Sequence, residues 1–229
     1  MLHIGIVACS TEGAALCYRT ISLEGAQRLG KHDHPEVSLH SYSLAEYMKH
    51  VDRGDWAGVA ELMIASAEKL AKGGADFLIC PDNTIHQAFD LVEHRSARPW
   101  MHIAREVAKE AQRREYKRLA VLGTRYLMEG PVYREALKAA GIEHRVPGAE
   151  QRERINQIIF DELVNGQFLP RSLAYFVEVI RAMKDEGCDA VVLGCTEIPL
   201  IVTADASPLP VLDSTRLLAR AAVCKAIEG

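Results

Sequence analysis

Residues 73–86 read GGADFLICPDNTIH and residues 186–199 read EGCDAVVLGCTEIP, so one phrase occurs twice in the chain. Aligned at one constant offset, Gly74 meets Gly187, Asp76 meets Asp189, Asp82 meets Cys195, Asn83 meets Thr196 and Thr84 meets Glu197. A second likeness runs in step with the first: HIGIVACST at the start resembles RLAVLGTRY further on, with Gly5 facing Ala120 and Cys9 facing Thr124. Two half-chains of one plan follow. Each has a first strand that enters a polar turn, and a later strand that is reached through Gly-x-Asp and enters another polar turn. Gly-x-Asp before an apolar strand is also common punctuation in α/β proteins, and chance likeness of short units stays open.

The short apolar runs 2–8, 37–43, 75–80, 119–124, 190–195 and 209–213 read as strands, bounded mostly by Gly, Pro or Asp. Between them, 55–74, 99–116, 133–141 and 173–187 carry helical spacing and close on residues such as Gly that suit a helix C-cap. The polar stretch 145–157 reads as a loop leading into a helix. Strand and helix alternate, and the strands are uniformly apolar, as strands covered on both faces are. The expected fold is therefore α/β with mainly parallel sheets.

A net charge of -4 gives no electrostatic reason for a nucleic acid or an anionic membrane as partner, which leaves a small molecule as the expected one. MLHIGIVACS looks like a strand rather than a leader, and no apolar run reaches the ~18 residues of a membrane span, so a cytoplasmic protein is expected. The six cysteines are scattered without CxxC or a Cys/His cluster, and HDH at 32–34 has no matching partner set, so no metal is expected. Neither a glycine-rich dinucleotide fingerprint nor a GxxxxGK[ST] loop occurs, and no nucleotide cofactor is expected.

Ligands of open α/β sheets bind beyond the carboxyl ends of strands, where helix N-termini present backbone N–H groups. If the two halves face one another, Asp82 and Cys195 approach a shared cleft from opposite sides. A thiol at such a turn can serve as base or nucleophile, and Thr196 and Glu197 could hold a ligand or orient the sulfur; a buried core cysteine is the alternative. Asp82 reads equally well as a turn or helix cap. Ser10, Thr11 and Thr124, at the ends of first strands, suit a carboxylate. His86 could assist proton transfer, although a lone histidine one turn into a helix is more often structural.

IGIVACSTEGA, DNTIH, the segment RINQIIFDELVNGQF (154–168) and GCTEIPL (194–200) together resemble the cofactor-independent aspartate/glutamate racemases over essentially the whole length. The resemblance implies two similar α/β domains, here 1–97 with 207–229 and 98–206, related by a pseudo-twofold with the active site in the cleft between them. It also implies a homodimer, an amino-acid or carboxylic-acid substrate, and no cofactor or metal. The family's usual mechanism sets one cysteine from each domain on opposite faces of Cα. Carried over by position, Cys195 is one acid/base, and Ser10, Thr11, Asn83, Thr84, Thr124, Thr196 and Glu197 are substrate-binding groups.

Two positions depart from the pattern. Asp82 stands where the family generally has its first cysteine, and Gln167 stands where several members have a lysine near a G-x-F turn. Arg125 or Arg19 could replace that cation. An aspartate has an ordinary pKa of about 3.9 against about 8.5 for a thiol, but burial and nearby negative charge raise a carboxyl. The leading expectation is racemisation or epimerisation between Asp82 and Cys195. The alternatives are a one-cysteine decarboxylase or isomerase of a small dicarboxylic acid, with Asp82 as an orienting group, and a catalytically silent amino-acid-binding protein.

Overall fold

The structure, a computed structural model, describes residues 1–229 and divides into two compact units, Met1–Ile103 with Thr215–Gly229, and Ala104–Ser214. In chain order the first unit holds β1 (Ile4–Ala8), α1 (Thr11–Leu29), β2 (Val37–Ser41), α2 (Leu44–Val51), α3 (Trp56–Lys72), β3 (Phe77–Ile79), α4 (Phe89–Glu93) and β4 (Trp100–Met101). The second holds α5 (Ile103–Arg113), β5 (Arg118–Leu122), α6 (Arg125–Glu129), α7 (Val132–Ala139), β6 (Glu143–Arg145), α8 (Ala149–Asp161), α9 (Pro170–Asp185), β7 (Ala190–Leu193), α10 (Ile198–Ile201) and β8 (Val211–Asp213). The last helix, α11 (Ser214–Glu228), returns to the first unit.

Each unit contains one four-stranded, all-parallel sheet, in the orders β2-β1-β3-β4 and β6-β5-β7-β8. The two orders are the same, so the repeated phrase occupies the same place in both: β3 and β7 each lie beside the first strand of their sheet. The chain crosses between units at 103/104 and 214/215, a few residues beyond the boundaries drawn from the sequence. Those later points follow from pairing, because Trp100–Met101 is the edge strand of the first sheet and Val211–Asp213 that of the second.

The Gly-x-Asp half of the repeat is architectural. Gly74 (φ 97) and Gly187 (φ 87) take the left-handed backbone that ends α3 and α9, a conformation glycine adopts without a Cβ clash. The next amide closes the helix in both copies, Ala75 N donating to Leu70 O and Cys188 N to Met183 O, each at 3.0 Å. The aspartates then pin the first strand. Asp76 Oδ2 accepts from His3 N at 2.8 Å while Asp76 N donates to His3 O at 2.9 Å. Asp189 Oδ2 accepts from Lys117 N at 2.6 Å, and Asp189 N donates to Arg118 O at 2.9 Å.

Packing explains the apolar strands. Ile4, Ile6, Phe77 and Ile79 bury one face of the first sheet with Cys17 and Ile21 of α1 and with Leu218, Ala222 and Val223 of α11. On the second sheet Ala120, Leu122, Val191 and Leu193 pack on Ile155 and Ile159 of α8 and Phe176, Val179 and Ile180 of α9. Three elements differ from the sequence reading. Trp100–Met101 is a strand inside what reads as one helix, because it pairs in register with Leu78–Ile79. Glu143–Arg145 is an edge strand without apolar pattern, and α8 already begins at Ala149, inside the stretch read as a loop. No helix is long and apolar enough to cross a membrane.

Because a carboxylate that accepts backbone N–H groups contributes about 1.5–3 kcal/mol, Asp76→Ala and Asp189→Ala are each expected to lower stability by that order. Urea unfolding of each variant, followed by circular dichroism, measures the loss.

Candidate active site

The register of β1 and β3 brings two turns side by side in the first unit. Ile6 is paired with Ile79, so Cys9–Ser10 and Pro81–Asp82 leave the same edge of the sheet. Ser10 caps α1, its hydroxyl accepting from Gly13 N at 3.3 Å, and Thr11 is the exposed first residue of that helix. Asp82 is half-buried, and its Oδ1 accepts from Ile85 N at 3.1 Å, the cap that its sequence context allowed. Asn83 is buried at 3% exposure, and the half-buried Thr84 opens a 3₁₀ turn to Ala88.

His86 is a strut for this turn. Its Nδ1 lies 2.6 Å from the Asp82 carbonyl, and its Nε2 accepts from Ile103 N at 3.3 Å. An acceptor at Nε2 and a carbonyl at Nδ1 define the neutral ring with the proton on Nδ1. The ring also stacks on Phe89, with centroids 5.4 Å apart. The proton-transfer role considered from sequence is therefore replaced by a positioning one, with both nitrogens engaged by backbone. Cys80, immediately before the turn, is fully buried, and desolvation followed by the Asp82 charge holds its thiol well above the usual range.

In the second unit, Leu122 pairs with Leu193, so the Gly123–Thr124 and Gly194–Cys195 turns adjoin. Their approach is close: Gly194 N donates to Leu122 O at 2.7 Å. A Cβ on Gly194 would lie 2.4 Å from Leu127 Cδ2 and 3.0 Å from Leu122 O, and one on Gly123 would lie 3.0 Å from Gly194 O. A Cβ at either place is crowded by the Leu127 side chain and by the facing backbone, so glycine is the residue that fits without displacement. Thr124 caps α6 through Leu127 N at 3.3 Å, and Asn156 Oδ1 accepts from Arg125 N at 2.9 Å, which secures the same turn from α8. That role of Asn156 had no signature in the sequence beyond its polar residue in an amphipathic helix.

Cys195, Thr196 and Glu197 form one buried polar group. Glu197, 3% exposed, accepts on a single oxygen, Oε2, from Cys195 Sγ at 2.9 Å and from Thr196 Oγ1 at 2.7 Å. The sulfur donates and the carboxyl oxygen accepts, which holds the Cys195 side chain against Glu197. The orienting role considered for Thr196 and Glu197 thus has a geometry. The two turns also share a backbone device: Ile85 N returns to the Asp82 side chain, and Ile198 N returns to the Cys195 carbonyl at 3.3 Å. Gln167 sits exposed after Gly166 in the loop before α9, its amide donating to Glu162 O at 3.0 Å.

The sequence-predicted residues therefore collect as Ser10, Thr11, Asp82, Asn83 and Thr84 at one edge of the first sheet, and Thr124, Cys195, Thr196 and Glu197 at the corresponding edge of the second. Like sheets with polar turns at these edges define a class of α/β protein built for small ligands. The pattern of the Asp/Glu/hydantoin racemase family matches residues 6–222, and the chain belongs to that family and is an isomerase. The broad specificity amino-acid racemase RacX of Bacillus subtilis (strain 168) is 24% identical over 192 residues, 83% of this chain and 82% of that protein. Among solved structures, a candidate Asp/Glu racemase from Yersinia pestis is 32% identical with a TM-score of 0.91, covering 99% of this chain and 100% of that one. An aspartate racemase homologue from Pyrococcus horikoshii OT3 is 29% identical with a TM-score of 0.87, over 99% of this chain and 100% of that one.

Two outcomes follow from this geometry. Gly194→Ala is expected to cost about 1–3 kcal/mol through overpacking, and to depress turnover because Cys195 is the next residue; thermal unfolding and the rate of racemisation measure the pair. Cys80→Ala is expected to keep most of the turnover, since a desolvated thiol is neutral at assay pH, and polarimetry on the purified variant checks it.

Proposed function

We propose that the protein is a cofactor-independent racemase or epimerase of an amino acid of aspartate/glutamate size, with Asp82 and Cys195 exchanging the Cα proton on opposite faces. In the same reading it acts in the cytoplasm as a homodimer. The single observation that carries the assignment is the equivalence of the two turns: Asp82 and Cys195 follow the same strand of two sheets of identical order, at matched positions of a repeated phrase.

Two groups are needed because one base that removes and returns a proton on a single face regenerates the starting enantiomer. Asp82 as carboxylate takes the Cα proton, and Cys195 as thiol delivers its own proton to the other face. The neighbouring carboxylate opposes the thiolate that this step leaves, and so makes that thiolate the stronger base for the return direction. A thiolate 2.9 Å from Glu197 is in an unfavourable electrostatic position while that carboxylate is charged, and Glu197 and Thr196 fix where the sulfur points. For the reverse direction the thiolate is the base and protonated Asp82 the acid, so protons and charge balance over a cycle. The Cα proton is weakly acidic, and the charge that develops on the substrate carboxylate needs donors in place beforehand. Ser10, Thr11, Asn83, Thr84, Thr124 and backbone N–H groups of the turns supply them in this reading.

The cap from Asp82 to Ile85 N favours one competitor, in which Asp82 only orients the turn and Cys195 alone handles the proton on one face. Exchange of Cα hydrogen for deuterium, followed by NMR on single enantiomers in D₂O, separates the two. Under the proposal Asp82→Asn and Cys195→Ser each abolish racemisation, and Glu197→Gln lowers it by about 10²-fold or more. Turnover that survives Asp82→Asn largely intact while Cys195→Ser destroys it assigns the one-cysteine chemistry instead, and ligand-induced thermal stabilisation without any exchange assigns a binding protein.

A further inference from the structure

Tyr47 of α2 is completely buried, yet its hydroxyl has no hydrogen-bond partner in the protein. An unmet polar atom in an interior is costly, and buried hydroxyls are normally paired. Its place in the fold is informative. Ser41, the last residue of β2, is paired with Ala8 of β1, so the segment leading into α2 leaves the sheet at the edge from which Cys9, Ser10 and Asp82 also leave. Desolvation first, and then the acidic neighbours Cys80, Cys9, Asp82 and Tyr42, push the phenol's pKa up and keep it a neutral O–H donor at every physiological pH. Lys69 of α3 is engaged by other side chains, donating to Tyr42 Oη at 3.0 Å and bonded to His40 Nε2 at 3.1 Å.

A neutral donor in a desolvated environment beside a carboxyl group discriminates between acceptors. An uncharged carbonyl or hydroxyl oxygen completes the hydrogen bond at little cost. A second carboxylate must lose its hydration and approach the Asp82 carboxyl group as well.

We propose that Tyr47 is a specificity-determining residue, whose hydroxyl donates to an uncharged acceptor in the side chain of the bound amino acid, so that the preferred substrates have neutral polar side chains rather than a second carboxylate. The inference rests on the racemase reading above and narrows it. It also gives the exposed Gln167 a consistent setting, since a neutral side chain requires no lysine.

Asparagine against aspartate and glutamine against glutamate are near-isosteric pairs that differ in charge. Deuterium exchange at Cα is expected to give each amide a kcat/KM about tenfold or more above its acid. Tyr47→Phe, which keeps the ring and removes the unmet hydroxyl, is expected to erase that preference mainly by raising KM for the amides, while the thermal midpoint of the ligand-free protein stays the same or rises. Acids exchanging as fast as amides, unchanged amide kinetics in Tyr47→Phe, or a lower midpoint for the ligand-free variant, as a structural hydroxyl would give, each overturns the proposal. Calorimetric binding of asparagine and aspartate keeps the test separate from catalysis. If no amino acid exchanges, the racemase reading fails; tighter asparagine binding that Tyr47→Phe abolishes still supports the role of Tyr47, and equal binding of the two ligands refutes it.

Discussion

Parallel pairing of the first and third strands of each sheet is the constraint on which the site depends. In the first sheet Ile6 lies opposite Ile79, and in the second Leu122 lies opposite Leu193. A shift of one residue in either register would exchange the two faces of a strand and move the turn beyond it along the edge. The aspartates of the repeated phrase guard against that shift at the start of the strands, each bridging to the backbone of the neighbouring first strand. The glycines guard it at the other end in the second unit, where Gly123 and Gly194 pass closely enough that a Cβ on either would crowd the facing backbone. Structure at both ends of a four-residue strand is thus specified by backbone hydrogen bonds and by the absence of side chains.

The mismatch within the repeat, aspartate in one copy and thiol in the other, has a counterpart in how each group is held. The Cys195 thiol donates a hydrogen bond to a buried carboxyl oxygen that also accepts from the Thr196 hydroxyl. Asp82 receives a backbone amide, on a turn braced by a neutral histidine. One turn therefore presents an acid and the other an acceptor. Under the proposed racemisation, two chemically unlike groups suit a reaction that uses two faces in sequence, and their acidities need not match.

Much of this was legible beforehand. Six of the eight strands read directly from apolar runs: the inner strands β1, β3, β5 and β7 are buried almost throughout and so apolar, while the edge strands β2 and β8 show shorter apolar patterns. The repeat located Asp82 and Cys195 at equivalent places, since an unchanged spacing from Gly-x-Asp through a strand fixes where the turn falls. The edge strands Trp100–Met101 and Glu143–Arg145 were not legible: two residues make no pattern, and a polar edge has no buried face to impose one. Helix α1 was equally silent, with Gly13 and Gly25 in its interior; at Gly25 the backbone of His34 comes within 2.9 Å of where a Cβ would be.

By itself the sequence determined the duplicated α/β plan, the strands that carry it, and the two residues at the ends of its repeated phrase, because spacing and apolar pattern are properties of the chain. Tertiary structure alone decided what those residues touch. It made His86 a strut through an amide seventeen positions away, set Asn156 against the Thr124 turn, and left the Tyr47 hydroxyl buried without a partner beside the Asp82 edge. Such facts depend on which remote atoms fill the space around a group. No local pattern encodes them, since the same tyrosine in the same amphipathic helix would be an ordinary core residue if its hydroxyl reached water.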